Sequence, residues 1–149
     1  MKIRTIAVVA LLGAVLATAA PAAEFTVNML NKDSAGRVMQ FEPAFLKVAA
    51  GDTVHFVAVD KGHDVASISV PAGADEVKGK MSQNVDVTFT VEGLYGFKCT
   101  PHVAMGMVGL IQVGEVADAT AIAALKLPSK AKKRMDELLA EQAAAPAAQ

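Results

Sequence analysis

The sequence of 149 residues has no tryptophan, one tyrosine, three histidines and a single cysteine. One cysteine cannot close an intramolecular disulfide, so in an exported chain Cys99 calls for a different role. Long apolar runs are also missing. The strongest, Ile6–Leu16, spans 11 residues, well short of the ~20 a membrane-spanning helix needs. Positive charge is scarce too: without Lys2 and Arg4 there are 12 basic residues against 15 acidic ones, a formal charge of −3. That balance excludes general nucleic-acid binding.

The chain opens with Lys2 and Arg4, then the short apolar run, then Ala20-Pro21-Ala22, the order of a cleaved export leader. Residues 1–22 read as that leader, and the mature chain then starts near Ala23 with no membrane span. About 127 residues remain, enough for one domain. From Glu24 to Gly114, short apolar runs alternate with turn formers, which reads as β structure. Candidate strands are 24–30, 45–49, 52–60, 85–91, 94–99 and 107–114, with turns at Ala50-Gly51-Asp52 and Glu92-Gly93. In "DTVHFVAVD" (52–60) both faces are largely apolar, as in a strand buried within a sandwich. Six such strands need a partner sheet, so a two-sheet sandwich over 23–116 follows. Beyond it, helix formers dominate. Helices over 118–127 and 129–142 are expected, broken at Pro128 and with Ser129 placed to cap the second. This segment, 117–142, would cover one face or edge of the sandwich, and 143–149 reads as a flexible tail.

The densest chemistry lies in "KCTPHVAMGM" (98–107), where Cys99, His102, Met105 and Met107 fall between two expected strands. Thiolate and thioether are soft donors and imidazole is borderline, a mixture suited to copper cycling between Cu(II) and Cu(I). Magnesium and calcium would need oxygen ligands, and structural zinc prefers four good Cys or His donors. His63, in a turn-like segment after "HFVAV", can join this loop at one end of a sandwich. Two His, one Cys and a weakly held Met make the trigonal-plus-axial set of blue-copper sites, with Met105 and Met107 both available for the last position. Four protein ligands leave no open position for a substrate. His55, the one histidine left, cannot build a second His-rich centre and reads as a strand residue bonded where it stands. Electron transfer without catalysis follows. The alternative is a copper carrier or buffer, which would favour accessible Met- or His-rich ligands over this compact loop.

The segments "MLNK" (29–32), "MQFEP" (39–43), "GDTV" (51–54), "VDKGH" (59–63), "KCTPH" (98–102) and "AMGMVG" (104–109), followed by two C-terminal helices, resemble the cupredoxins, and among them the pseudoazurins. The likeness covers nearly all of Glu24 to Gln142. It implies a mainly β, two-sheet Greek-key cupredoxin sandwich with two C-terminal α-helices. It also implies one copper ion held by His63, Cys99, His102 and Met107, the last preferred to Met105 because "MVG" opens the final strand. Met39 would lie beside the copper without binding it. Asp64 stands where the family usually has Asn, whose side chain ties the two ligand loops together at Thr100; an ionised Asp64 can accept from Thr100 but cannot donate. The resemblance places the electron port at the His102 imidazole edge within an apolar patch of Pro101, Val103, Ala104 and Met105. Lys32, Lys61 and Lys98, with Lys78 and Lys80, would ring it. Implied partners are periplasmic nitrite reductases and haem proteins, in denitrification.

Overall fold

Strand β1 (Glu24–Lys32) buries Val27 and Met29 and leaves Thr26 exposed, the two-residue period of a strand with one face in a core. The computed structural model that contains it describes residues 21–115 and 118–146. The first 20 residues of the expected leader and the last three of the expected tail lie outside that range. β1 pairs antiparallel with β2 (Val38–Glu42) and parallel with β4 (Thr53–Val57), and β6 (Val85–Thr88) completes a sheet of order β2-β1-β4-β6. The second sheet, β3-β8-β7-β5, comprises β3 (Phe45–Val48), β8 (Val108–Val113), β7 (Gly93–Lys98) and β5 (Ala66–Ser69). The sequence patterns miss β2 and β5. Both are short edge strands, and neither has an alternating apolar face to announce it: Val38 is exposed and all four β5 residues are half-buried.

Phe41, Phe56, Phe89, Tyr95 and Phe97 fill the space between the sheets. The Phe56 and Phe97 ring centroids lie 5.3 Å apart and those of Phe89 and Tyr95 4.9 Å apart, within the range of favourable edge and tilted contacts. The Tyr95 hydroxyl donates to the Val91 carbonyl at 2.7 Å, so the buried ring leaves no unpaired polar end. A second apolar cluster joins Leu94, Val108 and Leu110 of the second sheet to Ile122, Ala131, Met135 and Leu138. These belong to α1 (Thr120–Ala123) and α2 (Ser129–Ala144), so the helices pack on the outer face of the second sheet. The strands buried on both faces are consequently β7 and β8, not 52–60. β4 turns Val54 and Phe56 inward but leaves Thr53, His55 and Val57 half-exposed, because among the described residues α1 and α2 pack on the second sheet and not on the first.

Three helix expectations need correcting. α1 has four residues where ten were expected, and Ile122 is its one buried anchor. The N-cap of α2 is Pro128, at φ −53° and ψ 148°, and Ser129 is already helical. Proline fixes φ for this corner, and its carbonyl accepts the Lys132 N–H at 2.8 Å. α2 also continues to Ala144, two residues past Gln142.

One pairing positions the site. β5 runs antiparallel to β7 with Ala66 opposite Lys98. The start of one and the end of the other therefore share a pole of the sandwich, three residues after His63 and one residue before Cys99.

Candidate metal centre

Cys99 follows β7 in an extended conformation and serves as N-cap of a 3-10 helix, Thr100–Met105, with Pro101 in its first turn. Side chains three residues apart eclipse in a 3-10 helix, which brings His102 over Cys99. The turn is closed by His102 N–H donating to the Cys99 carbonyl at 3.2 Å and Gly106 N–H donating to Val103 O at 3.0 Å. Gly106 then reverses the chain at φ 99°, a left-handed conformation that favours glycine. A Cβ there would also come within 3.4 Å of the Lys130 carbonyl on α2, so the helix that covers the second sheet also supports the ligand loop.

Three donor atoms converge. His63 Nδ1 lies 3.6 Å from Cys99 Sγ, His102 Nδ1 lies 3.4 Å from it, and the two nitrogens are 3.1 Å apart. The centre of such a triangle is about 2 Å from each corner, close to the ~2.0–2.3 Å at which imidazole nitrogen and thiolate sulfur bind a first-row divalent metal. Among the described residues this is the one cluster of three or more His, Cys, Asp or Glu side chains able to hold a metal. Met107 is fully buried in the same cluster as Cys99, whereas Met105 is 42% exposed. The Met107 backbone also bridges the other ligands: its N–H donates to His102 O at 3.2 Å, and its carbonyl accepts the Cys99 N–H at 3.0 Å. Burial and these backbone bonds thus favour Met107 over Met105 as the residue that would supply the thioether donor.

A residue absent from the sequence expectations orients His63. Its Nε2–H donates to Asn31 Oδ1 at 3.0 Å, which fixes the tautomer and leaves the Nδ1 lone pair for the metal. Asn31 reaches this position because the β1–β2 ladder pairs Leu30 with Gln40 and Lys32 with Val38 but skips the position between them. There Met39 adopts φ 51°, a left-handed conformation that costs a non-glycine residue about 1–2 kcal/mol. Asn31 N–H, freed from the ladder, donates instead to Asp60 Oδ2 at 2.7 Å. Met39 itself packs against the cluster containing Cys99 and Met107. The signal for Asn31 was present in "MLNK", but its use depends on a bond spanning 32 residues.

The electrostatics suit a metal better than protons. Burial pushes the Cys99 thiol up to about 11, partly offset by the backbone N–H groups of Asp64 and His102. Burial, and then the neighbouring His102, hold His63 below the usual histidine range. A bound cation supplies the missing positive charge and favours the thiolate. Asp64, nearly buried, accepts the Thr100 N–H through Oδ1 at 2.6 Å, linking the His63 and Cys99 segments across 36 residues. The Asp64 side chain faces into this junction rather than out to solvent. Thr100 itself is exposed.

The surface over the site divides into two kinds. Pro101, Ala104 and Met105 are exposed and His102 and Val103 half-buried on the outer side of the 3-10 helix. Lys32 adjoins Asn31, Lys61 precedes His63 by two residues, and Lys98 adjoins Cys99. Ala66 pairs with both Lys98 and Lys78, while Ser82 N–H donates to the His63 carbonyl two residues beyond Lys80. None of these five lysines has an ion-pair partner among the described residues.

Two imidazoles and a thiolate in one plane-forming triangle, backed by a buried thioether at the pole of a two-sheet β sandwich, define a type 1 copper protein. Residues 27–114 match the family of copper binding proteins described as plastocyanin/azurin. The chain is 47% identical over 133 residues to the pseudoazurin of Paracoccus pantotrophus, covering 86% of this chain and 91% of that one. Its fold is similar to the crystal structure of pseudoazurin from Methylobacterium extorquens AM1, with a TM-score of 0.76, 42% identity and coverage of 80% and 98% of the two chains. Native pseudoazurin from Hyphomicrobium denitrificans gives a TM-score of 0.75 at 47% identity, covering 79% of this chain and 97% of that one. The chain belongs to the plastocyanin/azurin family of copper proteins, within its pseudoazurin branch. His63, Cys99, His102 and Met107 form its copper site, and its work is electron transfer.

Copper bound here supplies a one-electron couple. The protein contributes the rest: Asn31 and the Thr100–Asp64 bond hold the ligands in place, and burial of His63, Cys99 and Met107 excludes water. A site held this rigidly costs little reorganisation when the charge changes.

Proposed function

We propose that the protein is a periplasmic shuttle that carries single electrons to a nitrite reductase in denitrification, with haem proteins as further donors or acceptors. The observation that carries this reading is the contrast within the copper site. His63 and Cys99 have no exposed surface, while half-buried His102 sits among exposed Pro101, Ala104 and Met105. Electrons can therefore leave by one edge without the metal becoming accessible, which disfavours copper carriage. Apolar patches of this kind mark interaction sites, and a transient partner needs an interface below about 1,200 Å². Lys32, Lys61 and Lys98, with Lys78 and Lys80, raise the encounter rate with an acidic partner despite the overall negative charge. The choice of nitrite reductase rests on the resemblance to pseudoazurins. The periplasmic location rests on the leader over residues 1–22, whose removal leaves the sandwich at 23–116 and the helical segment packed on it.

Stopped-flow oxidation of the reduced protein by a copper nitrite reductase tests this reading across ionic strength. The second-order rate should fall steeply with salt, and Lys61→Glu and Lys98→Glu should each lower it at low salt while leaving the copper spectrum unchanged. A rate independent of salt and of both substitutions would remove the lysine surface from the docking site.

A further inference from the structure

Asp52 is buried although it carries a carboxylate, and its two oxygens have different partners. Oδ2 accepts the Ala49 N–H at 2.7 Å, closing the turn that leads into β4. Oδ1 accepts the nitrogen of Ala23 at 2.8 Å, 29 residues away. Ala23 is also where backbone pairing with the sandwich begins: its carbonyl accepts the Thr53 N–H at 2.9 Å, and β1 starts at the next residue. Pro21 and Ala22 before it are exposed and make no hydrogen bond among the described residues. The peptide bond between Ala22 and Ala23 therefore lies at the edge of the folded structure. It also follows the small residues Ala20 and Ala22, the pattern a leader peptidase cuts.

We propose that Asp52 is a receptor for the α-ammonium group that leader removal creates at Ala23. Hydrolysis of the Ala22–Ala23 amide consumes one water: the hydroxyl goes to the Ala22 carbonyl carbon, which leaves as a carboxylate, and the Ala23 nitrogen takes up protons to become an ammonium. In the uncut chain the Ala23 nitrogen is a neutral amide donating one hydrogen bond to Asp52. After the cut the same atom, at the same 2.8 Å, is a cation beside a buried anion. The bond to Asp52 then gains the attraction of opposite charges, so the folded state gains stability at the moment of processing. The chain that crosses the membrane lacks this ion pair and the released protein has it. Cutting one residue earlier or later moves the charge away from Asp52, which makes Ala22–Ala23 the productive position.

The inference rests on the export reading, and two measurements separate them. The mass of the copper-loaded protein recovered from the periplasm after expression of the full chain reports the cut. A mature chain beginning at Ala23 is expected, whereas another start would overturn the proposal while leaving export standing. Acetylation of the α-amine in that recovered protein, confined to the N-terminus, keeps one N–H donor but removes the charge, and should raise the unfolding equilibrium constant about two- to fivefold, the range of a partly exposed ion pair. In Asp52→Asn, acetylation should change it little. Equal sensitivity in both proteins would overturn the ion pair while leaving the cut in place. Asp52→Asn also loosens the Ala49 turn, so the wild-type protein supplies an independent reading. Its α-amine should acylate several-fold more slowly when folded than in denaturant at the same pH, and equal rates would overturn the proposal.

Discussion

At the copper pole, His63 and His102 turn their Nδ1 atoms toward Cys99 and toward each other, 3.1 Å apart and without a carboxylate hydrogen-bonded to either imidazole. On the outer face of the first sheet, His55 holds its Nδ1 2.8 Å from Asp86 Oδ1, with Glu24 3.9 Å from its other nitrogen. The two regions push the same side chain in opposite directions. The Asp86 hydrogen bond raises the His55 pKa, with Asp86 and Glu24 adding charge attraction, while burial and His102 lower that of His63. His63 is suited to be a copper ligand by being buried with its second nitrogen satisfied, so that the free lone pair has no proton to favour. A histidine facing carboxylates in solvent is instead an ion-pair partner.

The sharpest test of that contrast is removal of the sulfur. Cys99→Ser should abolish the intense visible absorption of the copper-loaded protein, because that absorption arises from thiolate-to-copper charge transfer, while His55→Gln leaves the spectrum unchanged. Loss of colour in His55→Gln would break the division between the two regions. Next in size is the partner of His63. Asn31→Ala should lower copper affinity about 10–100-fold, the range for residues that orient metal-bound imidazoles, measured by competition with a chelator, and an unchanged affinity would show that burial alone holds the ring.

Two smaller effects refine the comparison. Asp64→Asn retains an acceptor for the Thr100 N–H and removes a negative charge beside the copper. Voltammetry should therefore show a higher reduction potential, because a nearby carboxylate favours the more positive Cu(II) state; equal potentials would mean its charge is screened. The smallest effect is at His55. Its folded-state pKa is raised, so its contribution to stability is present in full below its ordinary value of 6.5 and is lost as pH rises through the raised value. Wild type should therefore be more stable than His55→Gln in mildly acidic solution, and the gap should close as the pH rises above neutrality. A gap that widens with pH would reverse the assigned cause.

The parts of the molecule that could be read from the chain are those coded by local pattern. Short apolar runs bounded by turn formers mark the interior strands, and the Cys99-to-Met107 spacing, with its choice of soft donors, marks the copper loop. Edge strands β2 and β5 escape because an edge residue need bury only part of itself, so no period appears. The capping role expected of Ser129 fails for a similar reason: Pro128, restricted in φ, already provides the turn into α2.

By itself the sequence determined a β sandwich with a helical cover, and a donor set that suits copper. Both follow from side-chain chemistry and short-range spacing. Only the tertiary structure showed that Met107 is buried with Cys99 while Met105 is exposed, that β7 and β8 rather than β4 are buried on both faces, and that Asn31 fixes the His63 tautomer. Each of those depends on contacts between residues distant in the chain: Gly106 against α2, the helices against one sheet only, and the interrupted β1–β2 ladder. Such contacts form only when the register of one strand against another is set, and no local pattern specifies it.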